Sequence, residues 1–317
     1  MNNYNKIGSI IFAFGMVSNG IAAMEAQDTQ EDNIAVVVVP GLNGGGGQNL
    51  DVIYPHLKNR IVASCPNGIW QSDLGQNNCL NHLNDTMKTV SKDNKIKSII
   101  IHGCSQGGAT AYNGAVDHQV DNPQKIDVLV LEAAVASGNS AILQKVPKLV
   151  AGLPLSYYWA PYIAKLVMPR YAPAGRQPIL QTAMLQKDLP IIIMHDKNDP
   201  EIPYDDAKAL YTGLKNAGQE NVYFIETNDG NHGSLLWKEQ HAEQITAFHM
   251  ILARHIKKQK IADEGLKKYQ PPVDKEAYAK LVIKENRMPY VDLGVKTAFY
   301  ASLCYGAYRI YKYFKPQ

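Results

Sequence analysis

Lys97-Ser98-Ile99-Ile100-Ile101-His102-Gly103-Cys104-Ser105-Gln106-Gly107-Gly108-Ala109 is the stretch that decides the fold. A β-branched apolar run too short for a helix, followed at once by glycines and small residues, reads as a buried strand turning sharply into a helix. Ser105 stands at the turn. Gly103 and Gly107, two residues to either side, leave room for a bend that lifts the hydroxyl clear of the sheet and lets the following helix pack close. The alternative is a glycine-rich strand-to-helix turn with an incidental serine, and the rest of the chain has to choose between the two.

The strands around this turn set the architecture. Ile34-Ala35-Val36-Val37-Val38-Val39 is continuously apolar, as a strand covered on both faces must be, and it ends in Pro40-Gly41-Leu42-Asn43-Gly44-Gly45-Gly46-Gly47. Further strands are expected at Arg60 to Pro66 (weak), Ile126 to Leu131, Pro190 to Met194 and Asn221 to Ile225. Helices are expected at Asn49 to Leu57, Leu80 to Val90, after Ser105, at Tyr204 to Asn216 and at Leu235 to Ile256. Strands alternating with helices predict an α/β fold with a doubly wound, mostly parallel sheet.

Composition sets the outer bounds. With 317 residues, 45% hydrophobic and 19% charged, the chain has an ordinary globular balance and no internal repeat. A net charge of +3 without a long basic stripe argues against nucleic acid as a partner. Lys6, the apolar run from Ile7 and the Ile21-Ala22-Ala23 end with its small alanines have the layout of an export signal over residues 1–23, which predicts an exported protein, periplasmic or secreted; an uncleaved membrane anchor or a buried helix is the alternative. Cys65 and Cys79 are the most plausible disulfide pair, with two buried thiols as the alternative. No HExxH or paired-cysteine spacing suggests a metal, and Gly44 to Gly47 lacks the Gly-Lys-Ser/Thr ending of a phosphate loop, so no cofactor is predicted.

A serine hydroxyl is a poor nucleophile near neutral pH and needs a base in reach and a third group to hold that base. After the strand at Met194 comes His195-Asp196-Lys197-Asn198-Asp199-Pro200-Glu201-Ile202-Pro203. After the next helix and strand comes Asn228-Asp229-Gly230-Asn231-His232-Gly233. The chain thus offers serine, then acid, then histidine, a known order for hydrolytic triads.

On these residues, the stretch from about Ile34 to Ile256 resembles the α/β-hydrolase family. Its Gly-x-Ser-x-Gly turn, the acid three residues after a strand end, the nearby Ile202-Pro203 and the histidine-bearing loop all match. Gly107-Gly108 and the helix end at Lys215-Asn216-Ala217-Gly218 bring it nearer to the prolyl-oligopeptidase and dienelactone-hydrolase branches. The resemblance implies Ser105 as nucleophile, Asp199 as acid and His232 as base. It implies an oxyanion hole from the backbone N–H groups of Leu42 and Gln106. Two departures stand out: Pro40-Gly41 where many members have His-Gly, and Asp196 where many have Gly. Asp196 and Glu132 remain rival acids. His102 and His195, each near the end of a buried strand, read as hydrogen-bonded structural or pocket residues.

The resemblance divides the chain into a hydrolase domain over 33–256, with a helical lid at about 134–188, and a C-terminal extension over 257–317. The lid sequence Leu153-Pro154-Leu155-Ser156-Tyr157-Tyr158-Trp159-Ala160-Pro161-Tyr162 favours an acyl or aromatic substrate, or simply buries the lid on the body. The extension is basic and then aromatic. Thr297 to Tyr308 is uncharged but short for a membrane span, which suits an interfacial helix at a membrane surface or packing against a partner or the body. The expected activity is a serine hydrolase cleaving a small-molecule carboxylic ester. A peptidase or amidase and a catalytically silent binding protein are the other readings.

Overall fold

Parallel strands buried on both faces need helices above and below, and the chain supplies both layers. A computed structural model describes residues 33–42, 53–54, 57–63, 68–121, 126–146, 153, 155–233, 239–259, 261 and 263–314. The expected export signal, the Gly44–Gly47 run, most of the Asn49 to Leu57 helix and Cys65 lie outside these residues.

Among them, six strands form one sheet: β1 (Ile34–Val39), β2 (Asn59–Val62), β3 (Ser98–Cys104), β4 (Ile126–Glu132), β5 (Ile191–Asp196) and β6 (Val222–Thr227). The order is β2-β1-β3-β4-β5-β6 and every pairing is parallel. The doubly wound expectation holds. The weak strand is the short β2, and as an edge strand it is only partly buried and ends at the exposed Val62.

The helices are α1 (Asn78–Ser91), α2 (Gln106–Asp121), α3 (Gly138–Lys145), α4 (Ser156–Ala164), α5 (Tyr204–Asn216), α6 (Ala242–His255), α7 (Asp263–Lys267) and α8 (Lys275–Phe314). Successive strand residues point to opposite faces, so one uninterrupted apolar run feeds two cores. Ala35, Val37, Val39, Ile99, Ile101, Leu129, Leu131, Ile191 and Ile193 meet Leu83 and Met87 of α1, Tyr112 of α2, Leu210 and Leu214 of α5, and Leu281 and Met288 of α8. Their neighbours Val36, Val38, Ile100, Val128, Val130, Ile192 and Met194 meet Tyr54, Phe248 and Ile251 of α6, and Leu266 of α7.

The C-terminal extension therefore splits in two. Its first part belongs to the body: the Phe224 N–H of edge strand β6 donates to Tyr269 O at 2.7 Å, and Tyr211 Oη donates to Pro271 O at 2.9 Å. On α8, Leu281, Glu285 and Met288 form a buried stripe at helical spacing. Glu285 reaches into the insertion after β4, where its carboxylate accepts from Ser137 Oγ, from Asn139 Nδ2 at 2.8 Å and from Tyr157 Oη at 2.6 Å.

Beside this cluster lies Asp206, buried in the first turn of α5. Ser140 Oγ donates to its Oδ1 at 2.9 Å, and Oδ2 has no hydrogen-bond partner among the described residues. Burial pushes the Asp206 carboxyl from an ordinary 3.8 up to about 8; nearby Glu285 and Asp205 add to the rise, against the Ser140 hydrogen bond and Lys284. The folded chain thus holds a proton that the unfolded chain releases, and stability falls as pH rises from the ordinary carboxylate range to about 8. Wild type is expected to melt lower at about pH 9 than at about pH 6, and Asp206→Asn, which cannot ionise, should flatten that dependence in thermal melts. Equal slopes for the two proteins would refute this assignment.

Candidate active site

Strand order reverses between β1 and β3, because β2 lies on one side of β1 and every later strand on the other. At such a switch point the loops leaving adjacent strands diverge and open a crevice at the carboxyl ends. Val39 and Gly103 are register partners there, and Leu42 and Gln106 each follow that pair by three residues.

Backbone crowding shapes the turn at Ser105. A Cβ on Gly103 would lie 2.3 Å from Gly107 O, one on Gly107 2.1 Å from Val39 O, and one on Gly108 2.3 Å from Ala134 Cβ. Since two of these obstacles are backbone, glycine is required for α2 to start against the ends of β1 and β3. Ser105 takes a left-handed φ of 56°, a conformation that costs a non-glycine residue on the order of 1 kcal/mol or more. The turn is held by Ser105 N–H donating to Glu132 O at 2.9 Å and by Ser105 O accepting from Gly108 N–H at 2.9 Å and Val135 N–H at 3.2 Å.

Ser105 Oγ lies 2.9 Å from His232 Nε2, and His232 Nδ1 lies 3.0 and 2.9 Å from the two oxygens of Asp199. An ionised carboxylate only accepts, so Nδ1 carries the proton and Nε2 is left as the acceptor for the serine hydroxyl. Asp199 is buried, while the His232 side chain is 21% exposed. Burial raises the Asp199 carboxyl. The hydrogen bond from His232 and its electrostatic interaction with the carboxylate, with His195 and the Ile202 N–H, outweigh this and hold it below its ordinary value. Its oxygens also accept from the N–H groups of Glu201 at 2.7 Å and Ile202 at 3.0 Å. The arrangement can deprotonate a serine as it attacks and retain the proton on a held imidazole.

The rival acids do other things. Asp196, buried at the end of β5, accepts from Asn198 N–H at 2.8 Å, Thr227 Oγ1 at 2.7 Å, Asp229 N–H at 2.8 Å and Gly230 N–H at 3.0 Å. It ties the loop carrying Asp199 to the loop carrying His232. Sequence reading weighed it as an acid and missed this role; the signal was an acid, in place of glycine, at the end of a strand facing a glycine-containing loop. Glu132 accepts from His102 Nε2 at 3.1 Å, and His102 Nδ1 lies 3.1 Å from Tyr54 Oη, beneath the turn. His102 is thus a buried hydrogen-bonded residue, as expected. So is His195, whose Nε2 donates to Ile202 O at 3.1 Å and lies 3.6 Å from Asp199; burial lowers its pKa.

In the insertion, Tyr157 and Tyr171 are buried; Tyr157 bonds to Glu285, and Tyr171 Oη donates to Asn139 Oδ1 at 2.8 Å. Tyr157 thus anchors the insertion to the body through α8, while Tyr171 ties two segments of the insertion to each other. Ala109, Val135, Ala141 and Ile202 join α2, the insertion and the acid loop in one small apolar cluster.

The sequence matches no family model and no curated protein. In structure it is similar to the Pyrococcus furiosus esterase Pf2001, with a TM-score of 0.53 at 14% identity over 72% of this chain and 84% of that one. It is also similar to the Pyrococcus horikoshii acylaminoacyl peptidase, with a TM-score of 0.52 at 16% identity over 75% of this chain and 40% of that one. With its sheet order and turn at Ser105, the chain has the α/β-hydrolase fold.

The clamp at Asp196 has a direct test. Asp196→Ala leaves four donors without their acceptor and should cost on the order of 2–4 kcal/mol. Amide hydrogen exchange at Asp229 and Gly230 should accelerate well beyond the change in the β1 and β3 amides. Protection lost evenly across the sheet would mean that Asp196 supports the fold alone.

Proposed function

We propose that this chain, with its α/β-hydrolase fold, is a serine hydrolase that cleaves carboxylic esters through an acyl-enzyme on Ser105. The reading is carried by the hydrogen-bonded series Ser105 Oγ, His232 Nε2, His232 Nδ1 and Asp199. Ser105 Oγ attacks the ester carbonyl carbon and its proton passes to His232 Nε2, while Asp199 keeps the imidazole in the required tautomer and stabilises the imidazolium. The oxygen of the tetrahedral intermediate is assigned to the N–H groups of Leu42 and Gln106, at the ends of β1 and β3 on the switch point. Amides aimed where that charge develops lower the barrier, each by about 3–4 kcal/mol in comparable sites. Collapse expels the alcohol, which takes the proton from Nε2. Water then attacks the acyl-enzyme by the same route, restoring Ser105.

Asp199 is the acid in this reading because both its oxygens face His232, whereas Asp196 and Glu132 are engaged elsewhere. Esters are preferred to amides because the match takes in 84% of the esterase chain but only 40% of the peptidase chain. The peptidase likeness is the one observation that favours amide or peptide bonds, and the substrate panel below separates the two.

A fluorophosphonate probe should label wild type and leave Ser105→Ala unlabelled. Ser105→Ala, His232→Ala and Asp199→Ala should each lower turnover of p-nitrophenyl acyl esters by about 10³–10⁴ or more, without adding up when combined, as members of one unit do. Equal labelling of wild type and Ser105→Ala would sink the enzymatic reading and leave a ligand-binding protein. Cleavage confined to aminoacyl or prolyl nitroanilides would replace the ester assignment with a peptidase one.

A further inference from the structure

The second half of α8 leaves the body. After Met288, the last residue of its buried stripe, the helix continues through Pro289 to Phe314, and residues 293–305 are exposed on every side. Such a segment should be polar all round if water surrounded it. Instead Val295, Phe299 and Leu303 follow one another at four-residue spacing, and Leu293, Tyr300 and Tyr305 are also exposed, with Phe299 at 60% and Tyr300 at 65%. Residues 297–308 carry no charge. A contiguous apolar surface of this kind marks an interaction site.

Its charges select the partner. From 293 to 317 the chain has Lys296, Arg309, Lys312 and Lys315 and no Asp or Glu; Lys296 is paired with Asp292 at 2.5 Å, one turn back. The complement is apolar and anionic. A second copy of the segment would bring the same positive sign and no acid to meet it. Tyr300 and Tyr305 add exposed rings with a polar tip, which suit the depth of lipid headgroups. The uncharged stretch rises only about 18 Å against a hydrocarbon core of about 30 Å, and among the described residues no helix is long and apolar enough to cross a membrane. A helix with these properties lies along a bilayer surface.

We propose that residues 293–305 dock this protein on an anionic lipid surface, with Phe299 and Leu303 entering the interface and the net positive charge of the sequence from 293 onward favouring anionic lipid. Each basic residue near such a surface contributes about fivefold to binding, so attachment is reversible and sensitive to salt. The body is held by the first half of α8, so docking leaves its core intact.

The test is flotation of the full chain with phosphatidylcholine vesicles with and without about 30% phosphatidylglycerol. The full chain should float with the anionic vesicles only and be released at about 1 M salt. A chain ending at Asp292, which keeps the hydrogen bond from Tyr162 Oη to Asp292 Oδ1, and the double variant Phe299→Asp/Leu303→Asp, should each lose about tenfold or more of that binding, with melting temperature and fluorophosphonate labelling unchanged. Unaltered flotation of the double variant overturns the proposal. So does a full chain that binds no vesicle but forms a dimer that the same substitutions dissociate, which would make the surface a contact between copies. If the shortened chain fails to fold, the double variant alone decides. Because vesicle binding is read without substrate, its failure is distinct from failure of the hydrolase reading.

Discussion

The structure depends on how closely the backbone of α2 approaches the ends of β1 and β3. Gly103, Gly107 and Gly108 stand where a single methyl group would overlap a carbonyl oxygen or a neighbouring residue. Removing side chains at these positions brings three backbone segments together, and the strain at Ser105 is held by hydrogen bonds from β4 and the segment after it. A positive φ at a serine is tolerated only where surrounding contacts fix it. Here those contacts are the sheet itself, so the hydroxyl is placed by the most rigid part of the molecule.

The second organising feature is the row of buried carboxylates at the carboxyl ends of the strands. Strand pleat sorts them. Glu132 shares its parity with Val128 and Val130, and Asp196 with Ile192 and Met194, so both side chains leave the sheet on the α6 and α7 side. Asp199 lies beyond the strand, where the chain has turned, and only it meets His232. A buried carboxylate is costly unless fully hydrogen-bonded, and each satisfies that demand differently: Glu132 with His102, Asp196 with two loops, Asp199 with an imidazole and two backbone amides.

The C-terminal extension shows the same economy of burial in a different form. One stripe of α8 contributes Leu281 and Met288 to the core, and Glu285 to a polar cluster with Ser137, Asn139 and Tyr157. Beyond Pro289 the same helix contributes nothing to that core. Further on, after Lys296, the composition changes from a run carrying both acids and bases to an uncharged, aromatic-containing stretch. The helix thus passes from a buried stripe to an exposed surface without interruption.

The sequence by itself determined the sheet, the turn at Ser105 and the series from serine to acid to histidine. These are local properties: an apolar run covered on both faces, glycines at fixed offsets, and loops at strand ends can all be read within a few residues. Tertiary structure alone decided which carboxylate faces His232, because Asp196 and Asp199 differ by three residues and their separation depends on where the chain turns after β5. It alone gave Asp196 its four donors, since these come from segments about 30 residues apart. It alone divided α8 into a docked half and an exposed half. Helical periodicity describes the faces of one helix, and which of them is covered depends on the neighbours that the rest of the chain brings to it.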